Sequence, residues 1–333
     1  MAVTLKQICE EAGVSKATVS RVLNNHPLVS RETREKVQGV IKRLNFTPNA
    51  LARNLSLQRT DTIGVLFPWI FSGFFSTVFY GIDSAAREYD YHVITSFSHD
   101  EEDENSMALS LLQERRIDGL ILMAPSLSSE KIREIKDLDI PFVVLQREIP
   151  DPEVSFVSVD NFDGGFKATS HLIQRGHRRI LALAGPEASQ DSSRREEGYR
   201  EALKEAGIKF DPHLVIRSEF NKETALPSFE HFRQRFAMPD AVFCFNDDIA
   251  LGLLKYLKTI GVRVPEDLAV IGFDGIEYTD FAELSTFATP MKEMGEQAVR
   301  LLIKQLENKE KRITEQWLLK GALVERNSTR RRT

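Results

Sequence analysis

Short apolar runs alternate with amphipathic segments along the chain from Thr62 onward. The runs include TIGVLF, YHVITSF, IDGLILM, PFVVL, RILALAG, DAVFCF and LAVIGF. Most of them are apolar throughout, which is typical of strands in a parallel sheet that helices cover on both faces. The alternation begins again after FVSVD, so the sequence predicts an α/β body made of two similar open parallel-sheet lobes.

The N-terminal segment has a purely helical pattern. Thr4 and Gln7 are spaced as a capping box, and Gly13 is suited to end the first helix in a left-handed conformation. Ser15 is placed to cap a second helix, and Ser30 a third. The turn between the first two helices has only a few residues, as a helix-turn-helix requires. We therefore predict a small all-α helix-turn-helix headpiece over residues 1–46.

Charge is distributed unevenly between these two parts of the chain. Residues 1–60 contain ten Lys or Arg and four Glu, a net charge of +6 in a chain whose total is −5, so the remainder carries −11. A basic domain on an acidic body is typical of a protein that binds nucleic acid. A solvated charged face on an ordinary helical bundle is the alternative. Helix order, the tight turn and the basic charge together favour DNA.

The outward face of the second helix carries Lys16, Ala17, Ser20 and Arg21. Lys and Arg can donate to the acceptors of guanine in the major groove, and Ala can contact a thymine methyl group. These four side chains are therefore candidates for reading double-stranded DNA.

The segment TLKQICEEAGVSKATVSRVLN, the third helix and the segment FTPNALARNL together resemble the DNA-binding headpiece of the lactose/galactose repressor family of transcription regulators. The resemblance implies a hinge helix and linker over residues 47–61, with Thr47 as N-cap and Pro48 at the first helical position. It also implies that Leu55 is wedged into the minor groove of the operator and kinks it. The candidate DNA-binding residues are Thr4, Ser15, Lys16, Ala17, Thr18, Ser20, Arg21, Asn24, Asn49, Ala52 and Leu55.

The body resembles the type I periplasmic-binding-protein-like fold of the same family, in which the chain crosses between two lobes three times. The resemblance implies an effector-binding and dimerisation domain over residues 62–333. It places 62–160 and 290–325 in the first lobe and 161–289 in the second. A last helix, capped by Thr289 and Pro290, is expected to return the chain to the first lobe.

Several predicted strands end in polar or aromatic residues, and ligands bind at the carboxyl ends of strands in open parallel sheets. Carboxylate, amide and guanidinium groups beside aromatic rings suit a polyhydroxylated ligand. The family resemblance assigns ligand contacts to Arg195, Asn246, Asp274, Phe220 and Phe75. The full set of candidate effector-binding residues is Trp69, Phe75, Arg147, Asp163, Arg195, Phe220, Asn246 and Asp274.

Three neighbouring positions bear on this site. Gln146 and Gly275 stand where the family often has aspartate, so the identity of the effector stays open. Asp247 is expected to cap the helix that follows it, because Asp is a favourable N-cap residue.

Motifs of the common enzyme, cofactor and metal sites are absent from the sequence. It contains no GxGxxG after a strand, no GxxxxGK[ST] loop, no GxSxG, no CxxC and no HExxH. We therefore expect no catalytic activity and no cofactor. The apolar run over 62–75 is broken by Pro68 and Gly73, and Lys6, Glu10 and Glu11 lie where a signal peptide needs an apolar core. We expect a cytoplasmic protein that does not contact a membrane.

These observations predict a sequence-specific transcription regulator, specifically a repressor released from a palindromic operator by a sugar-like inducer. The family's tetramers use an appended leucine-heptad helix, and this chain ends at Thr333 without one, so a homodimer is expected. A co-repressing metabolite or a phosphoprotein partner could replace the inducer. A sugar-binding transport protein is the remaining alternative, although the headpiece does not fit it.

Overall fold

The computed structural model forms two compact units, Met1–Thr60 and Asp61–Thr333. It describes residues 4–23, 26–44, 46, 59–68, 72–98, 106, 107, 110, 116–123, 127–138, 140–308 and 313–330. The candidate residues Asn24, Asn49, Ala52, Leu55 and Trp69 lie outside the described residues. So do the predicted hinge helix and most of the helix that the sequence predicts over 102–115.

The described part of the headpiece contains three helices, α1 (Leu5–Ala12), α2 (Lys16–Leu23) and α3 (Arg31–Arg43). The predicted capping box is present, since the Thr4 amide donates to Gln7 Oε1 at 2.8 Å and the Gln7 amide donates to Thr4 Oγ1 at 3.4 Å. Gly13 ends α1 with a φ of 61°, a left-handed conformation that glycine adopts without strain. Ser15 accepts from the Thr18 amide at 3.1 Å, so α2 begins where the sequence predicted.

The three helices bury a small apolar core. Its fully buried members are Ile8, Ala12, Val19, Val22, Val37 and Val40. Helical spacing in the sequence also predicts Leu23, Ile41 and Leu44 as core residues, but they are only partly buried, whereas Val40 is buried. A core of this size leaves the unit with modest stability, so its capping interactions matter.

The body contains twelve strands in its described part. They are β1 (Thr62–Pro68), β2 (His92–Ser98), β3 (Gly119–Leu122), β4 (Phe142–Leu145), β5 (Phe156–Val159), β6 (Ile180–Ala184), β7 (Val215–Arg217), β8 (Ala241–Cys244), β9 (Ala269–Asp274), β10 (Ser285–Ala288), β11 (Gln316–Leu319) and β12 (Ala322–Val324). One sheet has the order β11-β5-β4-β3-β1-β2 and the other β12-β10-β9-β8-β6-β7. Two similar lobes with parallel-sheet cores confirm the predicted fold class.

Strand pairing is parallel throughout the described sheets except at β12, which pairs antiparallel with β10. The sequence placed 290–325 with the first lobe, and within that range the helix Met291–Glu307 packs against the first lobe and β11 pairs parallel with β5, whereas β12 does not follow the assignment. The chain crosses back within the two residues between β11 and β12, because Gly321 allows backbone to pass close to Phe287 and Ala288. Residues 322–324 therefore extend the second sheet.

Helices cover both sheets, as the alternation of apolar runs and amphipathic segments predicts. They are α4 (Gly73–Glu88), α5 (Ser129–Asp137), α6 (Asn161–Gln174), α7 (Gln190–Glu205), α8 (Lys222–Arg235), α9 (Asp247–Thr259), α10 (Tyr278–Phe281) and α11 (Met291–Glu307). Short 3-10 turns cover Pro212–Leu214 and Asn327–Thr329. No helix in the described part of the chain is both long and apolar enough to cross a bilayer.

Each lobe contains one close helix crossing built on a pair of glycines. Gly81 of α4 faces Gly295 of α11 in the first lobe, and Gly165 of α6 faces Gly198 of α7 in the second. A Cβ added at any of the four would lie 2.1 to 2.3 Å from a carbonyl oxygen of the opposite helix. At Gly165 that oxygen belongs to Arg195, so the second crossing fixes the backbone of a candidate site residue.

Candidate functional site

Arg195 lies in α7 at the centre of the site and is only 2% exposed. Its Nε donates to Asn161 Oδ1 at 2.8 Å, and its Nη1 donates to the carbonyl oxygen of Phe245. The guanidinium carbon lies 3.7 Å from the centre of the Phe273 ring, a cation–π contact that helps to hold a buried charge. The arginine is therefore fixed by the second lobe before any ligand arrives.

Asp274 is the last residue of the buried strand β9 and is 7% exposed. Its Oδ1 lies 3.8 Å from Arg195 Nη2, beyond hydrogen-bond distance, and its carboxylate accepts no hydrogen bond from the described residues. Burial raises the pKa of Asp274 well above its ordinary value, although Arg195 opposes this. A buried carboxylate with open acceptor sites can receive hydroxyl or amino donors of a ligand.

Asp247 does not cap α9, contrary to the expectation from sequence. Its carboxylate accepts from the amides of Gly275 and Ile276 at 2.6 and 3.0 Å and from the Thr286 hydroxyl at 2.7 Å. Burial raises the pKa of Asp247 to about 7, against the effect of these three hydrogen bonds. Asp247 thus holds the loop that follows Asp274.

Asn246 is the N-cap of α9 instead, because its Oδ1 accepts from the Ile249 amide at 2.9 Å. Its Nδ2 donates to the Phe220 carbonyl oxygen at 2.8 Å. Phe220 has a φ of 55°, and its ring lies against Gly185, where a Cβ would be 2.2 Å away. The same ring centre is 5.8 Å from the Arg195 guanidinium, so the fold brings these predicted site residues together.

The first lobe meets this group at the start of α4. Phe75 packs edge-on against Phe67 and Phe74, with ring centres 6.2 and 5.4 Å apart. Gly73 lies against Ile276, where a Cβ would be 3.1 Å from the side chain. Because Ile276 follows Asp274 by two residues, the first turn of α4 borders the cleft between the lobes.

Arg147 and Asp163 make other contacts. Arg147 donates to the carbonyl oxygen of Leu127 in its own lobe. The Asp163 carboxylate accepts from Lys167 one turn later on α6, at 2.6 Å. Neither contact joins them to Arg195, and their effector roles stay predictions.

Two polar residues of the site are outside the full set of candidate effector-binding residues, although Asn161 follows the predicted strand FVSVD. Asn161, the first residue of α6, lies between Arg195 and Asp191: it accepts from Arg195, and its Nδ2 donates to Asp191 Oδ1 at 2.9 Å. Burial raises the pKa of Asp191 to about 6, with Arg195 and Asn161 opposing. The spacing of Asp191 and Arg195 by four residues on one helix is the sequence signal that could have identified Asp191.

The headpiece presents the predicted reading face to solvent. Lys16, Ala17, Ser20 and Arg21 are exposed on α2. Thr4 and Ser15 cap the two helices of the motif, and Ser15 also hydrogen-bonds the Thr18 hydroxyl at 2.9 Å. The residues that cap the helices are therefore distinct from the four exposed residues of α2 that are predicted to contact base edges.

Comparison with known proteins is consistent with both units. The family described as "Periplasmic binding proteins and sugar binding domain of LacI family" matches residues 60–324, and "Bacterial regulatory proteins, lacI family" matches residues 4–49. The transcriptional regulator RegA of Clostridium saccharobutylicum is 35% identical, covering 99% of this chain and 100% of RegA.

Two solved structures are similar along the whole chain. The lac repressor dimer bound to operator and the anti-inducer ONPF is 27% identical with a TM-score of 0.88, covering 99% of each chain. The transcriptional regulator CelR in complex with cellobiose is 31% identical with a TM-score of 0.74, covering 98% of this chain and 99% of CelR. The chain belongs to the lacI family of bacterial regulatory proteins and is a DNA-binding transcription regulator controlled by a small molecule.

Proposed function

We propose that the chain is a repressor whose affinity for its operator is controlled by a sugar-like effector bound between the two lobes. The observation that carries this proposal is Asp274, a buried carboxylate with open acceptor sites beside the fixed Arg195. Phe220 supplies an aromatic face nearby. Cellobiose in the similar CelR complex supports a sugar as the class of effector.

The effector acts in this proposal by shifting the population of lobe arrangements. Described contacts already join the lobes: Gln190 of α7 exchanges two hydrogen bonds with the backbone of Glu148, at 2.7 and 3.0 Å. At the other side of the cleft, Ser72 hydrogen-bonds the Asp248 carboxylate. A ligand that binds one lobe arrangement roughly 10⁴-fold more tightly moves the equilibrium from about 1:99 to about 99:1.

The hinge segment 47–61 is the proposed relay between the lobes and the DNA. Two such segments would pack together when a homodimer binds a palindromic operator, with Leu55 in the minor groove and Lys16 and Arg21 at base edges. The similar lac repressor dimer on its operator supports this assembly. Because operator DNA is the partner, we place the protein in the cytoplasm, without catalytic activity and without a cofactor.

The test combines operator binding with an effector screen. A binding site would first be selected from a random DNA library with the full chain, and sugars would then be screened by thermal shift, since a ligand of the folded state raises the apparent stability. Any hit should change operator affinity in a fluorescence anisotropy titration.

Variants separate effector binding from DNA binding. Arg195→Ala and Asp274→Asn should bind the operator normally and lose the response to the effector. Arg235→Ala, an exposed arginine of α8, is the matched control and should respond like the wild type. Loss of operator binding in the first two variants with an intact fold would contradict the proposed site.

A further inference from the structure

The interlobe site contains more carboxylates than cations. Asp191 and Asp274 lie near the buried guanidinium of Arg195, and the Asp247 carboxylate accepts from the loop that follows Asp274. Arg195 already contacts Asn161, the Phe245 carbonyl oxygen and the Phe273 ring. The site therefore has unused carboxyl oxygens, and its guanidinium is already engaged by protein groups, so an anionic ligand is disfavoured.

Asp191 lies in the second lobe directly after Gln190, which hydrogen-bonds the backbone of Glu148 in the first lobe. On the second-lobe side it interacts with Asn161 and Arg195, and on the first-lobe side with Glu148 and Arg147. It retains partial solvent exposure, so an incoming molecule can reach it. Asn161 occupies one of its oxygens at 2.9 Å, and the carboxylate keeps acceptor capacity for a ligand.

The residues that the first lobe contributes do not reverse the excess of carboxylates over cations. Arg147 donates to Leu127 within its own lobe, and Glu148 adds a further carboxylate at the mouth of the cleft. Arg194 precedes Arg195 in α7. Its Nε lies 3.6 Å from Glu148 Oε1, and its Nη1 lies 2.7 Å from Glu197 Oε2. The nearby cations are thus engaged by protein acceptors.

We propose that Asp191 is a specificity-determining residue that receives a hydroxyl or amino donor of the effector and excludes anions, so that the effector is an unphosphorylated sugar rather than a sugar phosphate or sugar acid. This inference rests on the proposed function. Burial raises the pKa of Asp191 to about 6, in accord with a site where further negative charge is unfavourable. At neutral pH the carboxylate is ionised and accepts strong, charge-assisted hydrogen bonds.

The experiment uses matched ligands with the full chain. Thermal shift followed by calorimetric titration at pH 7.5 would compare each sugar with its 6-phosphate, its uronic acid and its 2-amino analogue, across glucose, galactose, mannose and cellobiose. We expect the neutral or amino member of a series to bind and the anionic members to bind at least tenfold more weakly.

Asp191→Asn tests the residue itself, with Glu201→Gln on the exposed face of α7 as the control. Asparagine keeps the shape but loses the charge, so affinity for the neutral sugar should fall at least tenfold and the discrimination against anions should shrink. The control variant Glu201→Gln should change neither the affinity for the neutral sugar nor the discrimination against anions. Circular dichroism of each variant would verify that α7 remains folded.

The outcomes distinguish the inference from the function on which it rests. An anionic member that binds more tightly than its neutral counterpart overturns the inference, as does Asp191→Asn with unchanged affinity and preference, while small-molecule control stands. If no ligand of any charge binds and operator affinity never changes, small-molecule control by sugars fails, and the inference fails with it.

Discussion

Replacing Gly165 with alanine should destabilise the second lobe. The added Cβ would lie 2.2 Å from the Arg195 carbonyl oxygen, whereas ordinary contact begins near 3.4 Å, so α6 and α7 must separate by about 1 Å. Overpacking of this kind costs about 1–3 kcal/mol, and the better helix propensity of alanine returns about 1 kcal/mol. Subtracting about 1 kcal/mol from a central cost of about 2 kcal/mol, we expect a net loss of about 1 kcal/mol, and at most about 2 kcal/mol, in the free energy of unfolding, measured by urea denaturation.

The same displacement should weaken the effector site. The Arg195 Nε to Asn161 Oδ1 distance is 2.8 Å, and a movement of about 1 Å breaks a hydrogen bond of that length. Gly165→Ala should therefore reduce effector affinity although residue 165 need not touch the ligand. Calorimetric titration with the sugar found in the screen would measure this loss.

Two glycines provide controls for this prediction. Gly81→Ala creates an equal clash, 2.1 Å from the Lys292 carbonyl oxygen, but in the first lobe, away from Arg195. Gly81→Ala should lower the free energy of unfolding by a similar amount but should change the affinity for the effector little. Gly39→Ala in α3 meets nothing within 4 Å and should be neutral or stabilising. Gly165→Ala with wild-type stability, or with no greater loss of affinity than Gly81→Ala, would refute the reasoning.

Three further predictions concern charge, capping and DNA. Because the folded pKa of Asp191 is raised from 3.8 to about 6, its contribution to stability is present below pH 4 and lost as pH rises through 6. As pH rises from 4 to 7, the wild type should therefore lose about 2–3 kcal/mol of unfolding free energy relative to Asp191→Asn, measured by urea titrations of both proteins. A difference between the two proteins that does not change with pH would contradict this. Thr4→Ala removes the acceptor of the Gln7 amide and should cost about 0.5–2 kcal/mol, seen as faster hydrogen exchange of the α1 amides; unchanged exchange would count against it. Arg21→Ala should reduce discrimination between the operator and point-mutated sites by about 1–3 kcal/mol in anisotropy titrations, and an equal loss on random DNA would show that it contacts only phosphate.

Local signals explain why most elements could be predicted from the sequence. The capping residues Thr4, Gly13 and Ser15 act within one turn of their own helices, and most of the buried strands are largely apolar. β12 has neither kind of signal: it is three residues long and only half-buried, and its partner β10 lies about 35 residues away. Its lobe is decided by non-local pairing, which hydrophobic periodicity does not report.

The site was predictable where a residue follows a strand or matches the family. Phe220, Asn246 and Asp274 match family positions near strand ends, and the structure brings them together around Arg195. Asn246 and Asp247 are both good N-cap residues, so sequence could not decide which one caps α9. The Thr286 hydroxyl and the loop amides after β9 decide it, because they bind the Asp247 carboxylate and leave the cap to Asn246.

The second lobe holds its part of the site rigidly, and this explains how a ligand could bias the arrangement of the lobes. Gly165 fixes the backbone of Arg195, and Asn161, four residues earlier on the same helix, fixes its side chain. The first lobe joins this group through a few polar contacts, chiefly those of Glu148 with Gln190 and of Ser72 with Asp248. Since the described interlobe contacts are few, a ligand that adds several hydrogen bonds across the cleft changes a large fraction of the free energy that holds the lobes together. The preassembled half of the site can therefore convert ligand binding into a change in lobe arrangement rather than into local rearrangement of α7.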